Sequence, residues 1–262
     1  MNVAIIGAGH IAAALVQGWR RPSVTEPPSL IVFDVVTERA EHLAAAGGGR
    51  AATSAAAAVA GADLTVVAVR PEDVEGVLAD LGPSAGGGPI VSVAAGVSVE
   101  RIVAALPTGA GVCRVMPNVA AAMGLGVFLF VRGTLSGPQA ELVVRLFSAA
   151  GTVFALEEER FDAATAVAGC MPGMLASLVT YFAAAAEAHG IEPAAARLLA
   201  VEGVHGAAAM IAAGGDPAAV TAAAATPGGM TAAAVASLEA DGVADAIEHA
   251  VTAAAERAKE LA

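Results

Sequence analysis

A chain of 262 residues has room for one large or two modest domains and for a sizeable core. Its 13 Lys and Arg against 25 Asp and Glu give a formal charge of -12, which argues against nucleic-acid or anionic-membrane partners that need a basic patch. Hydrophobic residues make up 57% but aromatics only 3%, so alanine carries much of the apolar count, each helix buries little area, and stability needs many contacts, a subunit interface among them.

The chain enters at Val3, Ala4, Ile5 and Ile6, an apolar run that reads as a buried strand. Gly7, Gly9 and Ala12 follow in the pattern G-x-G-x-x-G/A. Gly7 permits the tight turn, Gly9 lets backbone approach a pyrophosphate, and Ala12 lets the next helix pack close with its first amides aimed at phosphate. A second strand over 30–33 ends at Asp34, the acidic residue such a unit places on a ribose. Short helices are expected over 37–46, closed by Gly47-Gly48-Gly49, and over 52–60. Strands follow over 64–69, 89–93, 111–116, 126–131 and 151–156, with helices over 72–81, 98–106 (Ser98 as N-cap) and 138–149.

From Asp162 onward strand signals stop, and helices are expected over 162–189, 193–213, 216–224, 230–240 and 243–261. The class changes near residue 158, so the predicted domains are 1–157, α/β with a doubly wound sheet, and 158–262, all helical. In such a sheet ligands bind beyond the carboxyl ends of the strands. Those ends carry Gly7–His10, Asp34, Val69–Pro71, Ala94–Gly96 and Met116–Asn118, which predicts one cofactor cleft.

Cys113 and Cys170 stand alone, and five scattered histidines give no metal-ligand spacing. The N-terminus has no basic n-region, so a cytoplasmic protein is expected. Residues 163–186 contain no charge and are long enough to cross a bilayer, but they hold Pro172, are rich in Ala, Gly and Thr, and lack flanking Lys or Arg clusters. The expectation is a helix buried in a protein core or a dimer.

Several segments, in order, resemble pyrroline-5-carboxylate reductases: Gly7-Ala8-Gly9-His10-Ile11-Ala12, Val69-Arg70-Pro71, Ser92-Val93-Ala94-Ala95-Gly96-Val97, and Arg114-Val115-Met116-Pro117-Asn118. The similarity continues through residues 157–166, Gly206-Ala207-Ala208, and Thr226-Pro227-Gly228-Gly229-Met230-Thr231, and so spans nearly the whole chain. The resemblance implies a Rossmann-type sheet followed by a helical dimerisation domain. It implies NAD(P)H-dependent reduction of a cyclic imine, normally 1-pyrroline-5-carboxylate to proline, in a homodimer or larger ring of dimers with the active site at the interface. The cofactor would lie on Gly7, Gly9, His10, Ile11, Asp34, Val69, Arg70, Pro71, Ala94, Ala95, Gly96, Pro117 and Asn118. Thr226 and Thr231, with the Gly228-Gly229 backbone, would hold the substrate carboxylate as the catalytic turn, and Met171 and Met230 would line the substrate.

The chain departs from that family in places. Ala168-Gly169-Cys170-Met171-Pro172-Gly173 stands where the family usually has Ser-Gly-Ser-Gly-Pro-Ala; Val119 and Met230 replace usual threonines, His10 a usual Asn, and Arg70 a usual Lys. These changes make the substrate pocket less polar and leave open another imine, such as a substituted pyrroline or a piperideine carboxylate. Asp34-Val35-Val36 stands where NADPH-using members place Asn-Arg-Ser or similar; a carboxylate accepts ribose hydroxyls and repels a 2′-phosphate, so NADH is favoured, with Arg39 the nearby base. A β-hydroxyacid dehydrogenase would need a lysine on the long helix, whereas the only lysine is Lys259. A cofactor-binding homologue without turnover is the non-enzymatic alternative.

Overall fold

The computed structural model describes residues 1–81, 87–106 and 109–260. Strand and helix alternate through β1 (Asn2–Ile6), α1 (His10–Trp19), β2 (Ser29–Phe33), α2 (Thr37–Ala46), β3 (Arg50–Ala51), α3 (Ala55–Val59), β4 (Leu64–Val67), α4 (Val74–Leu81) and β5 (Ile90–Ser92). They continue through α5 (Val99–Ala105), β6 (Val112–Met116), β7 (Gly126–Val131), α6 (Gly137–Ser148) and β8 (Gly151–Ala155). Beyond β8 the described residues are helical: α7 (Phe161–Ala164), α8 (Met171–Ala188), α9 (Pro193–Ala212), α10 (Pro217–Ala224), α11 (Met230–Ala240) and α12 (Val243–Glu260). Residue 261, the last of the expected final helix, lies outside the described residues.

The eight strands form one sheet in the order β3-β2-β1-β4-β5-β6-β7-β8. All neighbours are parallel except β6 and β7, which pair antiparallel with Val115 opposite Phe130. The reason is the connection: residues 117–125 hold only a short 3₁₀ turn, Val119–Met123, and a parallel crossover needs a dozen or more residues. β8 then pairs parallel with β7 because α6 supplies a full crossover between them. Seven of the strands stand where apolar runs place them. The exception is β3, whose two residues pair with Ile31 and Val32 and carry no apolar run of their own.

Alternation along β1 divides the core. Val3 and Ile5 face α1, α2 and α6, whereas Ala4 and Ile6 face α3, α4 and α5. On the first face Trp19 and Phe128 both meet Phe147 edge-on, at 6.0 and 5.2 Å between ring centroids, and the Trp19 indole donates to the Leu146 carbonyl at 2.9 Å. α6 starts on a capping box in which Ser136 and Gln139 satisfy each other's end of the first turn.

The chain divides into two compact units: Met1–Cys170 with the residues from Ala254 onward, and Met171–Ala253. In the second unit α8 and α9 pack along each other and α10 joins α9. The expected continuous helix over 162–189 is interrupted at Thr165–Gly169 by a π turn, in which the Cys170 amide reaches back to the Thr165 carbonyl. Asn118 explains the interruption, since its Nδ2 donates to the Ala168 carbonyl at 3.0 Å and holds that turn against the end of β6.

Candidate active site

The carboxyl ends of the central strands carry the loops on which the sequence places a cofactor. Gly7 has φ +99°, and a Cβ there would lie 2.5 Å from the Ala68 carbonyl oxygen, so only glycine fits between β1 and β4. Gly9 is the N-cap of α1, and a Cβ on it would meet nothing within 4 Å. Among the described residues no side chain caps α1, which leaves its first amides, at His10 and Ile11, available to an anion. On the opposite side of α1, Gly18 lets the helix close onto the Ala121 carbonyl.

Asp34 ties this loop to its neighbour. One carboxylate oxygen accepts from the Ala8 amide at 2.7 Å and the other from the Val36 amide at 2.8 Å. Asp34 therefore already shapes the glycine loop, and its remaining lone pairs are what a ribose diol would use. Beside it Val35 is 90% exposed, with no charge of its own to meet a phosphate.

Further along the edge, Val69 leads from β4 to Arg70, whose exposed guanidinium is paired with Glu72 at 3.3 Å and Asp73 at 3.1 Å. Pro71 opens the short 3₁₀ turn before α4. After β5, the Ala94 amide donates to Ser92 Oγ at 3.4 Å, Ala95 follows, and Gly96 turns the chain with φ +69°. After β6, Pro117 and Asn118 are buried, and Asn118 Oδ1 accepts from the Val127 amide at 3.3 Å. The Asn118 side chain is thus engaged at both ends with protein backbone.

In the second unit, Thr226–Thr231 forms the turn into α11. Gly228 has φ +74°, and a Cβ on Gly229 would lie 2.6 Å from Thr226 Oγ1. Gly229 is the N-cap, and among the described residues no side chain caps the helix, so Thr226 is not its cap. α11 begins, like α1, with free amides at Met230 and Thr231, and Met230 is 92% exposed. Met171 opens α8 and is 44% exposed.

Sequence reading named Arg114, in the middle of β6, as part of a resemblance but gave it no role. Its side chain is only 5% exposed; Nη1 donates to Glu158 Oε1 at 2.5 Å, and the guanidinium carbon lies 4.0 Å above the Phe161 ring. The available signal was a lone charge inside the apolar run Val112-Cys113-Arg114-Val115-Met116, which demands a partner once buried.

A glycine-turned strand, an uncapped helix and an acidic residue closing the second strand are the features of a Rossmann-type dinucleotide-binding unit. Comparison agrees: the model described as NADP oxidoreductase, coenzyme F420-dependent, matches residues 2–96, and pyrroline-5-carboxylate reductase dimerisation matches residues 158–261. The chain is 36% identical over 217 residues to pyrroline-5-carboxylate reductase of Mycobacterium leprae, covering 80% of this chain and 73% of that one. It is 34% identical over 266 residues to that of Pseudomonas aeruginosa, covering 100% and 97%. The solved pyrroline-5-carboxylate reductase of Coxiella burnetii superposes with a TM-score of 0.90 at 25% identity, covering 100% of this chain and 98% of that one. The chain belongs to the pyrroline-5-carboxylate reductase family.

Proposed function

We propose that this protein reduces 1-pyrroline-5-carboxylate to proline with NADH, as a homodimer or ring of dimers. The observation that carries the reading is a pair of helices, α1 and α11, each entered through glycine and each free of a capping side chain. The first suits a pyrophosphate and the second a carboxylate. The nucleotide residues are those of the 1–157 domain, and the 158–262 domain serves dimerisation and substrate.

A protonated cyclic imine is already electrophilic, so the protein's task is to hold its carbon in line with the hydride donor. The nicotinamide, when bound, supplies that hydride. The uncapped α1 amides and the open space over Gly9 fit the dinucleotide's phosphates. Thr226 and Thr231 hydroxyls with the α11 amides hold the carboxylate, and no nucleophile or metal ligand is required.

Asp34 and the exposed Val35 favour NADH over NADPH. Initial rates with both cofactors and 1-pyrroline-5-carboxylate test the proposal: turnover with NADH supports it, whereas cofactor binding without turnover overturns the substrate. Replacing Asp34→Ser together with Val35→Arg moves the kcat/KM ratio toward NADPH by about tenfold, or ~1.4 kcal/mol; an unchanged ratio removes Asp34 from the ribose. Cys170, Met171 and Met230, in positions where the family has Ser, Gly and Thr, favour a bulkier or less polar imine as the second reading, tested with substituted pyrrolines and piperideine carboxylates. The proposed setting is cytoplasmic, with neither nucleic acid nor membrane as partner.

A further inference from the structure

Arg114 sits on β6 between Ser92 of β5 and Val131 of β7. Cys113 and Val115 turn toward the α1 and α6 face, so the guanidinium projects to the other, among groups that offer it one carboxylate. Its Nε and Nη2 are buried and have no hydrogen-bond partner among the described residues. Glu158 Oε1 does more than neutralise it. The same oxygen accepts from the Val99 amide at 3.3 Å, the first amide of α5, while Ser98 Oγ accepts from the Arg101 amide at 3.2 Å. One carboxylate therefore joins β6, the start of α5, and the segment that follows β8.

Stability alone does not explain this arrangement. A buried ion pair with unsatisfied donors is no better for stability than apolar side chains of similar volume, and Ser98 already caps α5. What Glu158 adds is a fixed position for the loop that turns at Gly96 between β5 and α5. Asp34 assigns the adenosine end of a dinucleotide to β2, which leaves the nicotinamide end to the β4, β5 and β6 side of the sheet. We propose that Glu158, held in place by Arg114, is a positioning residue that sets the β5–α5 loop for the nicotinamide half of the cofactor. This rests on the cofactor reading above.

The test compares Glu158→Ala, Glu158→Gln and the double variant Arg114→Met with Glu158→Leu. NADH affinity is measured by nicotinamide fluorescence without substrate, steady-state constants with the imine, and Tm separately. Glu158→Ala raises the Kd and KM for NADH by about tenfold and leaves the KM for the imine within about twofold. Glu158→Gln, which keeps an acceptor for Val99, restores most of that affinity. The double variant, with no buried charge, recovers the wild-type Tm yet keeps the weakened NADH binding. Wild-type affinity in a stable double variant overturns the proposal and leaves the pair purely structural. Failure of the wild-type protein itself to bind NADH overturns the underlying cofactor reading, and the positioning role falls with it.

Discussion

Strands β1, β4 and β5 and helices α8 and α9 are all apolar runs, but they treat their apolar side chains differently. Val3, Ala4, Ile5, Leu64, Val66 and Ile90 are wholly buried between helices of the same chain. α8 buries Ala183 and α9 buries Ala196, while Tyr181, Phe182, Leu198 and Leu199 are each more than half exposed. By length and composition the helical run Glu158–Ala188 and the helix Pro193–Ala212 would also qualify to cross a membrane. The difference teaches that one chain completes its sheet core and does not complete its helical unit. An apolar surface of that extent needs a partner. A domain matched to reductase dimerisation makes a second copy the occupant we expect.

The sharpest way to break this contrast is Leu199→Asp on α9. A charge forced into the expected interface costs about 4 kcal/mol of association; sedimentation velocity should show monomers, and activity should fall with them. Retained dimers would place the interface elsewhere. Phe147→Ala strikes the other side of the contrast, removing the ring that Trp19 and Phe128 share. It should cost about 3–5 kcal/mol in urea unfolding. At Gly7 a methyl group meets the Ala68 carbonyl at a φ reserved for glycine, so Gly7→Ala should cost about 1–3 kcal/mol and weaken NADH binding more than it lowers Tm.

The smallest effect concerns Cys113. Burial alone pushes its thiol well above the ordinary value of 9.0. Because the folded state holds the proton longer, the stabilising contribution is complete below pH 9.0 and is lost as pH rises beyond it. Urea midpoints at neutral and alkaline pH should therefore converge more closely in Cys113→Ala than in the parent. A fast-reacting Cys113 in the native protein would contradict its burial.

The glycine turn and the strand ends around it were legible because their signals are local. The Gly7-Ala8-Gly9 turn, Asp34 two elements later, and the apolar runs of β1, β2 and β4 lie in short stretches whose backbone needs are dictated by their own residues. The Thr226–Thr231 turn was legible through resemblance, and its glycines then found conformational reasons at Gly228 and Gly229. Hidden features depend on distant partners. β3 exists only because Ile31 and Val32 offer it an edge, and the π turn at Thr165–Gly169 exists where Asn118 reaches Ala168.

The sequence by itself determined the alternation of strands and helices, the change of class near residue 158, the glycine loop after β1 and the family. Periodicity, glycine placement and short motifs act within a turn or two of chain, and their physics is complete at that range. Tertiary structure alone decided that Asp34 braces the glycine loop, that β7 runs against β6, and that Arg114 shares one carboxylate with α5. Each is a choice among partners far apart in sequence, settled when burial leaves a polar group or a strand edge only one place to bond.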